Sequence, residues 1–124
     1  MKRLSYETIV SLHSELIMQS GGMDGVRDTN LLDLSANSPF HTFGGQYLYP
    51  TLQAMAAHLA FSLIKNHPFL DGNKRIGILA MMVFLEINGQ PITCTDDELI
   101  ELGWGLADSS ISEAELLNWI NSHC

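Results

Sequence analysis

The sequence predicts an all-α fold, a compact bundle of about six helices with a short β-hairpin flap. Apolar residues make up 46% of the 124 and recur at spacings of three and four, the pattern of helices with one buried face. Gly, Pro and Asn divide the chain into about six such segments. No repeat or long linker interrupts them, and the length is that of one ordinary domain. We therefore expect residues 1–124 to form a single domain.

The first predicted helix runs from about Ser5, its N-cap, to Ser20. Leu4 is placed to pack against the first turn, and Gly21-Gly22 ends the helix. Its apolar face consists of Ile9, Leu12, His13, Leu16 and Ile17. This face is expected to pack against the core.

A shorter helix and a flap come next. Asp28 can cap the amides of the turn that follows it, and this helix must end before Pro39. The stretch from Pro39 to Pro50 places aromatic residues on both sides of Gly44-Gly45, a composition typical of a loop or a small two-stranded flap. The aromatic residues are Phe40, Phe43, Tyr47 and Tyr49.

Two strongly apolar helices are the expected core. The first runs from Pro50, acceptable in its first turn, to Asn66, and His67-Pro68 ends it. Its buried residues are expected to be Leu52, Met55, Ala56, Leu59 and Leu63. The second follows a loop of a few residues and ends at Asn88-Gly89. Its recurring apolar residues are Ile76, Leu79, Ala80, Val83, Phe84 and Ile87.

Capping boxes mark the last two helices. Thr95 and Ser112 each precede a glutamate by three residues, which predicts helices over roughly Asp96 to Ala107 and Glu113 to Asn121. Their leucines and isoleucines are interpreted as packing surface. The final His123-Cys124 is interpreted as a frayed tail.

Charge and composition exclude several classes of protein. Six basic residues against fourteen acidic ones give a net charge of −8, which argues against direct nucleic-acid binding and favours a basic partner. No apolar run reaches about 18 residues, and the start turns polar at once, so neither a membrane span nor a signal peptide is expected. The only cysteines, Cys94 and Cys124, have no zinc-ligand spacing and are expected to be reduced. We expect a soluble cytoplasmic protein.

The loop between the two core helices concentrates polar groups. Gly72 and Asn73 at a helix start can present backbone N–H groups to an anion, and Lys74-Arg75 add positive charge that suits a polyphosphate. Asp71 can hold Mg²⁺ that phosphate oxygens and waters complete. His67 can be neutral at cellular pH and accept a proton from an attacking hydroxyl.

Each of these residues also has an ordinary structural explanation. Asp71 and Asn73 can be helix caps, Lys74-Arg75 a solvated first turn, and His67 a packed residue before a proline. A proton acceptor, a metal ligand, free amides and cations within nine residues nevertheless favour function. The loop lacks the GxxxxGK[ST] pattern, so its phosphate chemistry would differ from that of a P-loop.

The nine residues His67–Arg75 resemble the motif HxFx(D/E)GNxR of the Fic/Doc family and fill every fixed position. Gly25–Asp28 followed by Leu31-Leu32, and Tyr49-Pro50 leading a helix into Lys65–His67, resemble the Doc (death-on-curing) toxin branch. The resemblance covers nearly the whole chain.

This resemblance implies roles for the loop residues. His67 would deprotonate a hydroxyl of a target protein, Asp71 would hold Mg²⁺, and Phe69 would anchor the loop in the core. The implied catalytic residues are His67, Asp71, Lys74 and Arg75. The implied nucleotide-binding residues are Phe69, Gly72, Asn73, Lys74 and Arg75. The stretch from Phe40 to Tyr49 would dock the target segment as an added strand.

Two departures from the family pattern indicate which group is transferred. AMP-transferring Fic proteins have glycine where this chain has Lys74 and a further arginine where it has Ile78. In Doc-like members, a lysine at this position goes with a reversed nucleotide and transfer of the γ-phosphoryl group of ATP. The resemblance therefore implies a protein kinase that modifies a threonine of elongation factor Tu.

The resemblance also implies a Phd-type antitoxin whose disordered tail folds onto the toxin. Many Fic proteins instead carry an inhibitory helix, (S/T)xxxE(G/N). Ser11 with Glu15 and Ser109 with Glu113 have this spacing but lack the final Gly or Asn. Both pairs are interpreted as ordinary helical faces. Two alternatives stay open: transfer of AMP to a protein hydroxyl, and a catalytically silent module that binds an antitoxin and acts in autoregulation.

Overall fold

A computed structural model describes residues 1–124 as six α-helices and one two-stranded antiparallel sheet, which confirms the predicted fold class. The helices are α1 (Tyr6–Ser20), α2 (Thr29–Asn37), α3 (Leu52–Asn66), α4 (Asn73–Ile87), α5 (Asp96–Ala107) and α6 (Glu113–His123). A short 3₁₀ helix at Ser38–Phe40 follows α2, and the sheet consists of β1 (Thr42–Phe43) and β2 (Gln46–Tyr47). None of the helices combines the length and apolar character that crossing a membrane requires.

The helix starts agree with the predicted caps. The side chains of Ser5 and Asp28 accept hydrogen bonds from Thr8 and Leu31 backbone N–H groups at the starts of α1 and α2. Thr95 and Ser112 form complete capping boxes. Each cap satisfies backbone groups that the helix itself leaves unpaired, which explains why these boundaries are readable from the sequence.

Two predicted boundaries are wrong. Helix α3 begins at Leu52 with Thr51 as N-cap, so Pro50 precedes the helix because the Thr51 side chain captures the Ala54 N–H. Helix α6 includes His123 rather than fraying before it. Both ring nitrogens of His123 donate hydrogen bonds, Nδ1 to the Trp119 carbonyl and Nε2 to Glu98, each at 2.6 Å. The bond to Trp119 lies within α6, and the bond to Glu98 holds the last turn of α6 against α5.

Helices α3 and α4 form the centre of the core and pack more extensively against each other than any other pair. Their approach is close because Gly77 faces Ala60 and Ile64, where an added Cβ would lie 2.9 Å from Ile64 Cγ1. The core includes Leu59, Leu63, Ile76, Met81 and Phe84, all fully buried. This tight pair sets the geometry of the short loop that joins the two helices.

The flap, residues 41–48, projects from this core. Thr42 pairs with Tyr47 and Phe43 with Gln46, and the turn between them is Gly44-Gly45, both with positive φ. Every residue of the flap is exposed, including Phe43 at 82%. The predicted two-stranded flap is confirmed.

Candidate active site

The seven residues singled out from the sequence lie in the loop between α3 and α4 and in the first turn of α4. Six of them line a cleft of about 300 Å³ together with Leu70: His67, Asp71, Gly72, Asn73, Lys74 and Arg75. Phe69 is 1% exposed and lies beneath the cleft without lining it. We call residues 67–72 the site loop. Phe69 is therefore the anchor of the site loop and does not reach a ligand in the cleft.

The start of α4 carries no side-chain cap, unlike that of any other α-helix. Gly72 occupies the N-cap position with φ +76° and supplies no side-chain hydrogen bond. The first intrahelical bond runs from Ile76 N–H to Gly72 O at 2.9 Å, so the amides of Asn73, Lys74 and Arg75 precede it. The five other helices carry side-chain caps, on Ser5, Asp28, Thr51, Thr95 and Ser112. Free amides at the positive end of a helix dipole suit an anion.

Asn73 is the internal brace of the site loop. Its buried side chain accepts a hydrogen bond from Phe69 N–H and donates to Phe69 O, both at 3.0 Å. Its amide nitrogen also donates to His67 Nδ1 at 3.0 Å. Asn73 thus provides hydrogen-bond partners for the backbone N–H and C=O of Phe69, and it fixes the orientation of the His67 ring.

His67 ends α3 in a left-handed conformation, with φ +50° and ψ +52°, and its side chain is exposed. Because Nδ1 accepts from Asn73, the neutral ring carries its proton on Nε2. The hydrogen bond from Asn73 therefore occupies the ring nitrogen that is free of a proton. The exposed ring faces the same cleft as the open start of α4.

The segment between α1 and α2 holds the site loop from outside. The Arg27 side chain donates to the carbonyls of His67, at 2.6 Å, and Asn66, at 3.0 Å. Its guanidinium thereby neutralises the negative end of α3. Arg27 N–H also donates to Pro68 O at 2.8 Å, and Leu70 N–H to Gly25 O at 3.0 Å. Arg27 was noted in the sequence only as part of a flanking pattern, and its contact with the loop is a tertiary feature.

Asp71 is held as a charged carboxylate. The backbone N–H groups of Met23, at 3.2 Å, and Gly72, at 2.8 Å, donate to it. These two hydrogen bonds are the main causes that lower its pKa below the usual range, and the nearby Arg75 adds to the effect. Gly22 makes the approach possible, since an added Cβ there would lie 2.7 Å from Asp71 Oδ2.

The Asp71 carboxylate and the groups around it fit a magnesium site that the protein fills only in part. No three His, Cys, Asp or Glu side chains converge to hold an ion by themselves. A single ionised and half-exposed carboxylate beside free amides suits Mg²⁺, which is commonly held by one or two carboxylates together with substrate phosphates and waters. Asp71 is the residue that would hold it.

The two cationic side chains of the site, Lys74 and Arg75, differ in how far other residues hold them. Lys74 is exposed at the rim of the cleft. Arg75 donates from one terminal nitrogen to Ser20 Oγ at 2.6 Å and Gly21 O at 2.8 Å. Its other terminal nitrogen lies 3.9 Å from Asp71 Oδ1. Arg75 therefore ties α4 to the end of α1 while it keeps one nitrogen toward the cleft.

His13 also belongs to this region, although its sequence pattern indicates only a place on the apolar face of α1. It lies on α1 with no exposed surface. Its Nε2 donates to the main-chain carbonyl of Asp71 at 2.7 Å, and its ring stacks on Phe69 with a centroid distance of 3.8 Å. The only sequence signal was a polar ring in an otherwise apolar stripe.

A second cleft of about 230 Å³ adjoins the first. It lies between α3 and the loop joining α5 and α6, and five of its nine lining residues are hydrophobic. His67 and Lys74 line both clefts. An elongated ligand with an anionic end and a less polar end can therefore occupy the two together.

The two glutamates with the spacing of an inhibitory helix have other contacts. Glu15 accepts from Gln19 on α1, and Glu113 accepts from His58 Nδ1 at 3.0 Å. The interpretation of Ser109 and Glu113 as one helical face is wrong. Ser109 lies in the loop between α5 and α6 with φ +62°, because α5 has already ended.

Comparison with known proteins gives three matches. The model of the Fic/DOC family matches residues 3–85, which span α1 to nearly the end of α4. Toxin Doc of Mycolicibacterium smegmatis is 43% identical over 77 residues, 62% of this chain and 59% of that protein. The match thus spans less than two thirds of the mycobacterial relative. Protein kinase doc of Escherichia phage P1 is 26% identical over 112 residues, 90% of this chain and 87% of that protein.

Proposed function

The chain belongs to the Fic/DOC family, in its Doc branch, and we propose that it is the toxin of a toxin–antitoxin pair. In this proposal it transfers the γ-phosphoryl group of ATP to a threonine hydroxyl of a translation factor such as elongation factor Tu. The observation that carries the proposal is the open start of α4. Three free amides, two cations, a charged carboxylate and an exposed histidine border one cleft there.

The phosphates of ATP would bind at this helix start. The amides of Asn73, Lys74 and Arg75 would donate to phosphate oxygens, and the exposed Lys74 and the Arg75 nitrogen beside Asp71 would balance their charge. The adjoining cleft between α3 and the α5–α6 loop leaves room for the rest of the nucleotide. Positioning and charge neutralisation are the main requirements of phosphoryl transfer.

Asp71, whose half-exposed carboxylate lines the cleft, would hold Mg²⁺. Its low pKa keeps it ionised at neutral pH, as a magnesium ligand must be. When bound, the ion would neutralise charge on the phosphates as the transfer proceeds. Met23 and Gly72 keep the carboxylate in place through their backbone N–H groups.

His67 would accept the proton of the attacking hydroxyl. The ring lies at the rim of the cleft, where a segment of another protein can reach it. The flap offers the unpaired edges of a two-stranded sheet, to which a target segment can add as a further strand. The hydroxyl would then be delivered between His67 and the nucleotide.

The lysine at position 74 favours phosphoryl over nucleotidyl transfer. Its side chain stands at the first turn of α4, where AMP-transferring members of the family have glycine. One relative carries the name protein kinase, which supports the same choice. A Phd-type antitoxin as inhibitor and a cytoplasmic site of action follow from the proposed role as a toxin of translation.

Paired labelling tests the proposal. Purified protein, Mg²⁺ and bacterial elongation factor Tu are incubated with ATP labelled at the γ-phosphate in one reaction and at the α-phosphate in the other. We expect label on the factor from the γ-position alone, reduced at least about 100-fold in His67→Ala. His123→Ala, a histidine variant outside the site, is the matched control and should retain activity.

Other outcomes redirect the proposal. Label from the α-position would establish nucleotidyl transfer and contradict the kinase assignment. A folded His67→Ala protein with full activity would refute the role of His67. If neither label is transferred and wild-type protein does not bind MgATP, the silent antitoxin-binding module becomes the better explanation.

A further inference from the structure

His13 occupies a place where stability alone favours an apolar residue. It belongs to the buried stripe of α1 together with Ile9 and Ile17 and has no exposed surface. Its Nδ1 is buried without a hydrogen-bond partner and lies 3.4 Å from Asp24 Oδ1. Burying a polar atom without a hydrogen bond costs free energy that leucine or phenylalanine would not incur. Packing by itself does not account for a histidine here.

His13 contacts the two residues of the site loop that flank Leu70, namely Phe69 and Asp71. The ring stacks on Phe69 at 3.8 Å with an interplanar angle of 7°. Nε2 donates to Asp71 O at 2.7 Å, because a carbonyl oxygen only accepts. One side chain therefore fixes the buried anchor of the loop and the backbone next to the proposed metal ligand.

The Asp71 carbonyl shares a planar peptide unit with the Gly72 N–H. Fixing the carbonyl therefore fixes the direction of that N–H, which donates to Asp71 Oδ1 at 2.8 Å. The same peptide unit leads into the left-handed Gly72 that opens α4. Gly72 lies directly on α1, since an added Cβ would meet Ile17 at 3.1 Å and His13 at 3.5 Å.

We propose that His13 is a positioning residue for the site. Its hydrogen bond holds the Asp71–Gly72 peptide so that the Asp71 carboxylate and the first-turn amides of α4 face one ligand. This inference rests on the proposed function, since that ligand is MgATP. His13 touches neither nucleotide nor target and acts only through the loop.

Three variants separate the hydrogen bond from burial. His13→Phe keeps an aromatic ring for stacking but loses the donor, and His13→Leu loses both with a smaller side chain. His13→Gln keeps a donor but loses the stacking. Ile120→Val, a buried residue of α6, is the control for a small loss of core packing. Urea unfolding, amide hydrogen exchange of residues 69–76 and calorimetric titration with MgATP are measured for each protein.

We expect His13→Phe to unfold cooperatively and to bind MgATP about tenfold more weakly, the value of one hydrogen bond. Exchange at the start of α4 should rise in the same variant. His13→Gln should recover most of the affinity, and Ile120→Val should keep it. If His13→Phe does not fold, His13→Leu replaces it.

If His13→Phe or His13→Leu keeps the wild-type affinity for MgATP and the wild-type rates of amide exchange, His13 contributes packing only. That result would overturn the inference. Weaker binding in Ile120→Val as well would also overturn it, because stability rather than positioning would then explain the loss. If wild-type protein binds no MgATP, the proposed function fails. The exchange comparison still decides whether His13 holds the loop.

Discussion

The site loop and the flap are both short connections, yet they are held in opposite ways. The site loop is bonded to several parts of the chain: the His13 ring, the Met23 amide, the Arg27 side chain and backbone, and the Asn73 side chain. The flap is bonded mainly to itself, through the pairing of β1 with β2 and a bond from Leu48 N–H to His41 O.

This difference matches what each region is proposed to do. Groups that balance charge and move a proton must be held within a fraction of an ångström. A strand edge that receives another protein tolerates local opening, because backbone hydrogen bonds form again with the arriving segment. The molecule thus combines a loop that is bonded to several elements with an exposed flap that is bonded mainly to itself. Substitutions in the two regions and at the residues that hold the site loop test this contrast.

Asn73→Ala should weaken the brace most. It removes the only hydrogen bonds to the backbone N–H and C=O of Phe69, which lies buried in the core. We expect the free energy of unfolding to fall by about 2–3 kcal/mol, measured by urea denaturation. MgATP binding should be lost as well, because the start of α4 shifts. A free energy of unfolding within 0.5 kcal/mol of wild type would show that the loop does not depend on Asn73.

Gly22→Ala and Gly21→Ala form a matched pair at the end of α1. Both glycines have positive φ, but an added Cβ at Gly21 meets nothing within 4 Å, whereas at Gly22 it lies 2.7 Å from Asp71 Oδ2. We expect Gly22→Ala to lose about 1–2 kcal/mol more stability than Gly21→Ala. Only Gly22→Ala should weaken MgATP binding in calorimetry. Equal effects would mean that backbone strain, not the approach to Asp71, is what matters there.

Asp71 should make stability depend on pH in acid. Its folded-state pKa is lowered by the Met23 and Gly72 amides, so its contribution is present above the unfolded pKa of about 3.9. That contribution is lost as the pH falls through the folded pKa. The stability difference between wild type and Asp71→Asn should therefore be constant from pH 7 to pH 5 and shrink only below about pH 4. A difference that disappears by pH 5 would contradict the lowered pKa.

Phe43→Ala should have the smallest effect on stability. The side chain is 82% exposed on the flap, so the free energy of unfolding should change by less than about 0.5 kcal/mol. The KM for the protein target should rise while MgATP affinity stays at the wild-type value. A clear loss of stability would show that the flap is part of the core structure, and the contrast with the site loop would fail.

The sequence was sufficient for most helix boundaries because they depend on local chemistry. Ser5, Asp28, Thr95 and Ser112 cap the helices that follow them, as predicted. The predicted start of α3 at Pro50 was wrong because proline fits both a first helical turn and the position before an N-cap. The Thr51 side chain, which caps the helix, decides between the two. The prediction for His123 was wrong because Glu98, the partner of its Nε2, becomes a neighbour only when α5 and α6 pack.

The sequence by itself determined the all-α class and the flap, through apolar periodicity and composition. It also singled out the candidate residues, because they lie within the continuous stretch His67–Arg75. Tertiary structure decided how that motif is held. His13, Gly22, Met23 and Arg27 come from distant positions in the chain and meet the loop only when α1 and the segment after it pack beside α3 and α4. Periodicity and capping act over a few residues, whereas the orientation of one peptide unit in a buried loop depends on every element that surrounds it.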